Sequence, residues 1–168
     1  ALACLAKLHE RLRGFPPEQV RAVATNTFRV AKNIAPFMPL AEAALGFPIE
    51  IIAGREEARL IYTGVIHTLP PGSGQMLVVD IGGGSTEFVI GSRLQPDITE
   101  SLNLGCVSYS LRFFPKGKVS AESFKLAVNT ARSEIQRIAK LLKNTGWQLA
   151  VGTSGTARTL RDLIAAAN

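Results

Sequence analysis

Apolar residues recur along the chain in two patterns, one typical of amphipathic helices and one of short buried strands. Helical segments have apolar residues three or four positions apart, as in the first twelve residues. Strand-like segments are short apolar runs rich in β-branched residues, as in 76–79. The patterns predict helices over 1–12, 28–44, 55–67, 107–114, 120–142 and 157–166. They predict strands over 20–25, 49–53, 76–79, 88–90, 97–104 and 149–151.

The segment 75–91, QMLVVDIGGGSTEFVIG, predicts a β-hairpin whose turn carries three consecutive glycines. Such glycines are costly in backbone entropy, which suggests either a positive φ or a close approach to the main chain. A phosphate fits, because successive amides in such a turn form an anion-binding concavity and nearby hydroxyls add donors. A glycine-rich turn without a ligand is the alternative. The candidate phosphate ligands are Gly82, Gly83, Gly84, Ser85 and Thr86.

Two acids flank this turn, Asp80 on the incoming strand and Glu87 on the outgoing one. Carboxylates cannot bind phosphate directly. They can hold Mg²⁺ beside a substrate phosphate or orient a water molecule. We therefore expect Asp80 and Glu87 to be metal ligands.

Two other segments join a strand to a helix through polar residues. Residues 25–27, TNT, precede Arg29, so an anion could bind at the helix N-terminus with Arg29 as a bidentate clamp. Ordinary capping by Thr25 or Asn26, with Arg29 in solvent, is the alternative. Residues 152–156, GTSGT, suit a second anion contact or only a tight turn and helix cap. The candidate ligands in this second segment are Gly152, Ser154 and Gly155.

The helix predicted from residue 55 begins with two adjacent glutamates, Glu56 and Glu57. Adjacent helical side chains point about 100° apart, so only one of the two can face a cleft. That one could act as general base for an attacking water. Alternatively, both are solvated and complement the helix dipole. The residues alone do not choose between Glu56 and Glu57.

Composition narrows the range of functions. The chain has 168 residues, and its formal net charge of +6 fits a polyanionic substrate. The basic residues are dispersed, so nucleic acid is not an expected partner. Cys4 and Cys106 are too few for a disulfide framework or a metal knuckle, and two free thiols fit a reducing cytoplasm. No apolar segment approaches the roughly 18 residues that span a bilayer, so no integral membrane segment is expected.

The chain divides at PPGSG, residues 70–74, where a linker and a domain boundary are predicted. The first residue is Ala1 rather than Met, and it lies within a predicted helix. The chain is therefore expected to be a fragment of a longer protein.

Four segments, in order and with similar spacing, resemble the exopolyphosphatase/guanosine pentaphosphate phosphohydrolase family. They are 25–29 (TNTFR), 54–62 (GREEARLIY), 79–87 (VDIGGGSTE) and 152–156 (GTSGT). The resemblance implies an α/β protein with two ribonuclease-H-like domains of the actin-like ATPase superfamily, in which mixed sheets flanked by helices surround a cleft. Residues 1–69 would be the second half of the first domain, and 70–168 most of the second.

The resemblance also implies an activity and its residues. Glu57 would be the catalytic carboxylate, Arg29 a phosphate ligand, and the Asp80 to Glu87 loop the holder of phosphate and Mg²⁺. Residues 152–156 would form a further phosphate-facing or nucleotide-facing loop. The implied reaction is hydrolysis of the terminal phosphoanhydride of inorganic polyphosphate or guanosine pentaphosphate in the cytoplasm.

One family feature is missing from this chain. Family members carry a first phosphate motif, acid-glycine-serine-asparagine-serine, near their N-terminus, and nothing like it occurs here. Without the strands of that region the first domain would expose a sheet edge, which invites pairing with another chain, so a homodimer is a further expectation. The sequence leaves two other functions open. One is an actin-like ATPase or sugar kinase, and the other is a non-catalytic module that binds phosphate or guanosine pentaphosphate.

Overall fold

The computed structural model describes residues 1–70, 74–92 and 94–167. The chain forms two compact units, Ala1–Ala53 and Gly54–Asn168. The predicted linker at 70–74 lies largely outside the described residues. No helix in the described ranges combines the length and apolarity that crossing a membrane requires.

The first unit contains a two-stranded parallel sheet with three helices. Its elements are α1 (Leu2–Leu12), a 3-10 turn (Pro17–Gln19), β1 (Ala22–Ala24), α2 (Asn26–Val30), α3 (Ile34–Leu45) and β2 (Ile49–Ile51). The single helix predicted over 28–44 is wrong, because two helices, α2 and α3, occupy that segment. Pro36 explains the break: it has no amide hydrogen for the Lys32 carbonyl, and its ring would clash with that carbonyl in a continuous helix.

His9 connects the two longer helices of the first unit. Its Nδ1 lies 2.9 Å from the carbonyl oxygen of Leu45, at the end of α3. Gly46 follows in the left-handed conformation, with φ of +78°, and a Cβ there would lie 2.4 Å from Nδ1 of His9. The His9 side chain therefore lies against the C-terminal end of α3.

The second unit is built on a four-stranded mixed sheet. Its elements are α4 (Gly54–Ile66), β3 (Met76–Ile81), β4 (Thr86–Gly91), β5 (Pro96–Leu102), α5 (Cys106–Phe113), a 3-10 turn (Pro115–Gly117), α6 (Ala121–Thr145), β6 (Leu149–Thr153) and α7 (Ser154–Ala167). The strand order is β5-β4-β3-β6. The β3–β4 and β4–β5 pairs are antiparallel and the β3–β6 pair is parallel.

Side-chain alternation along β3 and β4 divides the core between the two faces of this sheet. One buried cluster, on the side of α4, consists of Ala58, Tyr62, Met76, Val78 and Val89. The other, on the side of α6, consists of Leu77, Phe88, Ile90, Leu102, Ile138 and Leu142. Because α4 packs on the sheet, the compact units divide at Ala53/Gly54, earlier in the chain than the domain boundary predicted at 69/70.

The long helix α6 begins as its sequence predicts. The Ser120 side chain accepts from the amide of Ser123, and the Ser123 side chain accepts from the amide of Ser120, which makes a capping box. Its predicted apolar face is only partly buried. Phe124 is 57% exposed and Ile135 is 37% exposed, whereas Ala127 is buried with the two core residues of this helix.

Candidate active site

A row of four polar residues crosses the sheet at one end of its strands. In register, Asp80 on β3 lies opposite Glu87 on β4 and opposite Thr153 on β6, and Glu87 lies opposite Ser101 on β5. Asp80 is two positions beyond Val78, which packs against α4, so the row lies on the face that α4 covers. The pairing thus brings together two acids that the sequence placed on either side of a turn.

Hydroxyl groups on the two outer strands bind the two acids. The Thr153 hydroxyl donates to Oδ1 of Asp80 over 2.5 Å, and the Ser101 hydroxyl donates to Oε1 of Glu87 over 2.8 Å. Glu87 is only 1% exposed. Its Oε2 is buried and has no hydrogen-bond partner among the described residues. The row therefore contains one buried carboxylate oxygen without a protein donor.

The environment of Glu87 shifts its acidity. Burial raises the pKa of Glu87, and hydrogen bonds from Ser85 and Ser101 act in the opposite direction. The negative charges of Glu57 and Asp80 raise this pKa further. Glu57, in the first turn of α4, therefore acts on the same site as the acid pair. Glu57 and Asp80 thus both disfavour the ionised form of Glu87.

The two adjacent glutamates of α4 have different surroundings. Glu56 forms a bidentate ion pair with Arg59, with Oε2 to Nε and Oε1 to Nη2 distances of 2.7 and 2.8 Å. Glu57 is the one whose charge reaches Glu87. The structure thus assigns Glu56 a local partner on its own helix and places Glu57 towards the polar row.

The triglycine turn is held by the protein's own backbone. The Gly82 amide donates to the Ser85 carbonyl over 3.0 Å. The Gly82 carbonyl accepts from the amide of Cys106, and the Gly83 carbonyl accepts from the amides of Val107 and Ser108 at the start of α5. A positive φ is not the reason for these glycines, since the positive-φ glycines of the described chain lie elsewhere. A Cβ at Gly82 would lie 3.1 Å from the Ser85 carbonyl oxygen and one at Gly83 3.4 Å from Cγ2 of Val107, so the protein itself approaches these two glycines closely.

One of the predicted phosphate donors in the turn is engaged within the protein. Thr86 is buried and its hydroxyl donates to the Leu104 carbonyl. Ser85 is also buried, and it acts to lower the pKa of Glu87. The Thr86 hydroxyl is therefore engaged within the protein, and phosphate binding by the turn stays a prediction. The amides of Gly83 and Gly84 donate to no acceptor in the part of the chain that the structure describes, so they remain available as donors.

The second glycine/hydroxyl segment lies beside the first. Because β6 runs parallel to β3, their carboxyl ends meet at one edge of the sheet, and the Ser154 hydroxyl donates to the Ile81 carbonyl over 2.7 Å. Ser154 begins α7 with a positive φ of 77°. A Cβ at Gly152 would lie 3.2 Å from the Cβ of Ala157, so this glycine allows α7 to pack closely on its strand. Nothing lies within 4 Å of the corresponding position at Gly155.

Arg29 belongs to the first compact unit. Its Nη1 donates to the Ile52 carbonyl over 2.8 Å, and the side chain is half-buried, so a location in solvent is wrong. Thr25 occupies the N-cap of α2 but makes no side-chain capping bond. The phosphate-binding role of Arg29 stays a prediction.

Comparison with known sequences decides the family. The whole chain, residues 1–168, matches the sequence model described as the Ppx/GppA phosphatase family. The chain belongs to this family. The predicted resemblance is thereby confirmed.

Solved structures agree with this family. One, an exopolyphosphatase-like protein, is 28% identical with a TM-score of 0.84, over 92% of this chain and 49% of that one. The PPX-GPPA enzyme of Aquifex aeolicus is 31% identical with a TM-score of 0.69, over 92% and 50%. An exopolyphosphatase from Cytophaga hutchinsonii is 26% identical with a TM-score of 0.83, over 96% and 52%. This Ppx/GppA chain has the predicted actin-like ATPase fold, and it spans about half the length of these structures.

The acid pair of this Ppx/GppA chain fits one mode of cation binding. The described residues contain no group of three or more His, Cys, Asp or Glu side chains that could hold a metal ion. Mg²⁺, however, is commonly held by one or two carboxylates and completes its shell with water and substrate oxygens. The Oε2 of Glu87, which has no hydrogen-bond partner among the described residues, fits that mode, because a cation would offset the repulsion between Glu87 and Asp80.

Sequence reasoning did not mark Ser101, and it included Thr153 in the predicted segment 152–156 without naming it as a candidate ligand. Ser101 lies within a strand that the alternating pattern predicted, but its partner depends on the strand register. That register includes an irregularity between Ile90 and Gly91, which no sequence pattern predicted. The contacts of Ser101 and Thr153 with the two acids follow from pairing across the sheet, so only a predicted register could have revealed them.

Replacing Glu87 by Gln is expected to raise the melting temperature at pH 8 and to change it little at pH 4. The raised pKa means that folded Glu87 binds its proton more tightly than the unfolded chain does. Its contribution to stability is therefore fully present below the unfolded-state pKa and is lost as pH rises through the folded-state pKa. Glutamine has no charge to bury. A gain of about 2–4 °C at pH 8 corresponds to roughly 1 kcal/mol in a chain of this size.

Thermal unfolding in EDTA at both pH values measures this difference. Glu18→Gln, at an exposed site in the first unit, is the control and should shift the melting temperature equally at pH 4 and pH 8. An equal shift for Glu87→Gln at the two pH values would show that ionisation of Glu87 does not limit stability.

Proposed function

We propose that the protein containing this chain is a phosphoanhydride hydrolase that releases the terminal phosphate of inorganic polyphosphate or guanosine pentaphosphate. One observation carries the proposal: Asp80 and Glu87 lie opposite each other beside a turn in which the amides of Gly83 and Gly84 have no acceptor among the described residues. The charge of Glu57 also acts on Glu87. Family membership and the exopolyphosphatases among similar structures support the same reaction class.

In the proposed reaction, the substrate's terminal phosphate binds the free amides of Gly83 and Gly84. Backbone amides in a fixed turn stabilise an anion without reorganising. The Glu57 carboxylate accepts a proton from a water whose oxygen attacks the terminal phosphorus. The phosphoanhydride P–O bond breaks, and inorganic phosphate and a shortened substrate leave.

Asp80 and Glu87 are the residues that would hold Mg²⁺ in this proposal. When bound, Mg²⁺ would neutralise charge that develops on the phosphate oxygens. The net charge of +6 supports an anionic substrate through long-range attraction. A cytoplasmic location and a homodimer stay predictions, and so does phosphate binding by residues 152–156.

Phosphate release from three substrates, assayed side by side, tests the proposed function. The protein expressed from its complete gene would receive long-chain polyphosphate, guanosine pentaphosphate or ATP, each with Mg²⁺. We expect kcat/KM for at least one of the first two substrates to exceed that for ATP by about tenfold or more, a difference of ~1.4 kcal/mol in transition-state binding.

The assay with ATP distinguishes the proposed hydrolase from an actin-like ATPase or kinase. A preference for ATP would favour an actin-like ATPase or kinase and would overturn the proposal. Binding of guanosine pentaphosphate or polyphosphate without phosphate release would identify a non-catalytic module, which would overturn it as well.

A further inference from the structure

The outer strands of the sheet supply a hydroxyl to each acid of the hairpin. Thr153, on β6, donates to Oδ1 of Asp80, and Ser101, on β5, donates to Oε1 of Glu87. Both contacts join residues directly opposite each other in register. The arrangement is therefore symmetrical: each acid on an inner strand has a hydroxyl donor on the neighbouring outer strand.

We propose that Ser101 and Thr153 are positioning residues that fix the orientation of the Glu87 and Asp80 carboxylates. The expected effect on the rate of hydrolysis rests on the proposed function. The orientation of the two carboxylates does not depend on activity. Ser101 lies in none of the segments that carry the family resemblance, whereas Thr153 lies in the segment 152–156. Neither residue lies in the triglycine turn.

The Ser101 contact determines which oxygen of Glu87 is available. The Ser101 hydroxyl binds Oε1, and the buried Oε2 is then the oxygen that has no hydrogen-bond partner in the described part of the chain. A carboxylate without that donor could turn about its last side-chain bond, because such sp³–sp² torsions are broad. Ser101 thus directs the free oxygen of Glu87 rather than reacting itself.

Thr153 has the equivalent effect on Asp80. Asp80 is half-buried at the end of β3, next to the triglycine turn. Its Oδ1 is held by the Thr153 hydroxyl, and β6 continues directly into α7 at Ser154. Because the backbone of β6 is paired with β3, the donor position is fixed by the sheet and not by a flexible loop.

Isosteric removal of each hydroxyl tests the inference. We expect Ser101→Ala and Thr153→Val, in the complete protein, to lower kcat about tenfold each, while KM changes less than about twofold. The conservative variants Thr153→Ser and Ser101→Thr keep a hydroxyl and should recover most of the loss. Ser110→Ala and Thr130→Val are matched controls, since those hydroxyls donate only to carbonyls of their own helices, Cys106 and Leu126.

A crystal structure of Ser101→Ala gives a readout that needs no activity. We expect the Glu87 carboxylate to occupy more than one orientation, whereas it has one in the parent protein. A single unchanged orientation, or kcat within twofold of the parent for both Ser101→Ala and Thr153→Val, would overturn the inference. If the parent protein hydrolyses none of the substrates, the proposed function fails while the crystallographic result still decides the orientation.

Discussion

Glu57→Gln is expected to reduce hydrolysis of the preferred substrate by about 10²–10⁴-fold, the range for loss of a general base. Glutamine has nearly the same shape as glutamate but cannot accept the proton of the attacking water. The KM should change less than about twofold, because the lost interaction develops only in the transition state. Steady-state phosphate release by the complete protein measures both constants.

The neighbouring glutamate provides a matched control. Glu56→Gln makes the same chemical change one residue away, where the carboxylate pairs with Arg59 on its own helix. Ion pairs at such partly exposed sites contribute about 1 kcal/mol or less, so the rate should fall less than about threefold. An equal loss of hydrolysis rate in the two variants would show that Glu57 is not the general base.

The order and type of the regular elements were mostly predictable, since helix and strand periodicities differ clearly in this chain. Strand pairing was predictable only within the 75–91 hairpin, where a short turn sets which residues face each other. The break between α2 and α3 could also be predicted from Pro36, because the lack of an amide hydrogen is a property of the residue itself. The packing of α4 on the second sheet was not predictable, because it depends on contacts between segments distant in sequence.

The site was predictable in its residue types but not in its hydrogen bonds. The acids and glycines form a pattern within one short segment. Without the family resemblance, the residues could not choose between Glu56 and Glu57, because that choice depends on which side of α4 faces the sheet. Nor could they show that the Thr86 hydroxyl is engaged by the Leu104 carbonyl, since that contact follows from the path of the chain beyond β5.

The second large effect is expected from Gly105→Ala, which should lower hydrolysis about 10²-fold. A Cβ at Gly105 would lie 2.4 Å from the carbonyl carbon and oxygen of Gly83 and from the amide nitrogen of Gly84. These are backbone atoms, so the turn itself must move. Displacement of a binding group by about 1 Å can cost a rate factor of this size. The φ of Gly105 is −127°, which alanine adopts without strain, so the effect comes from the contact alone.

Gly64→Ala is the matched control for this substitution. Gly64 lies inside α4, and a Cβ there would meet nothing within 4 Å. Alanine in a helix interior is favoured over glycine by about 0.5–1 kcal/mol, so this variant should keep its activity and melt slightly higher. Circular dichroism would establish that Gly105→Ala is folded at the assay temperature. Folded Gly105→Ala that hydrolyses substrate within threefold of the parent rate would contradict the proposed role of the turn. Displacing the amides of Gly83 and Gly84 would then not affect the reaction.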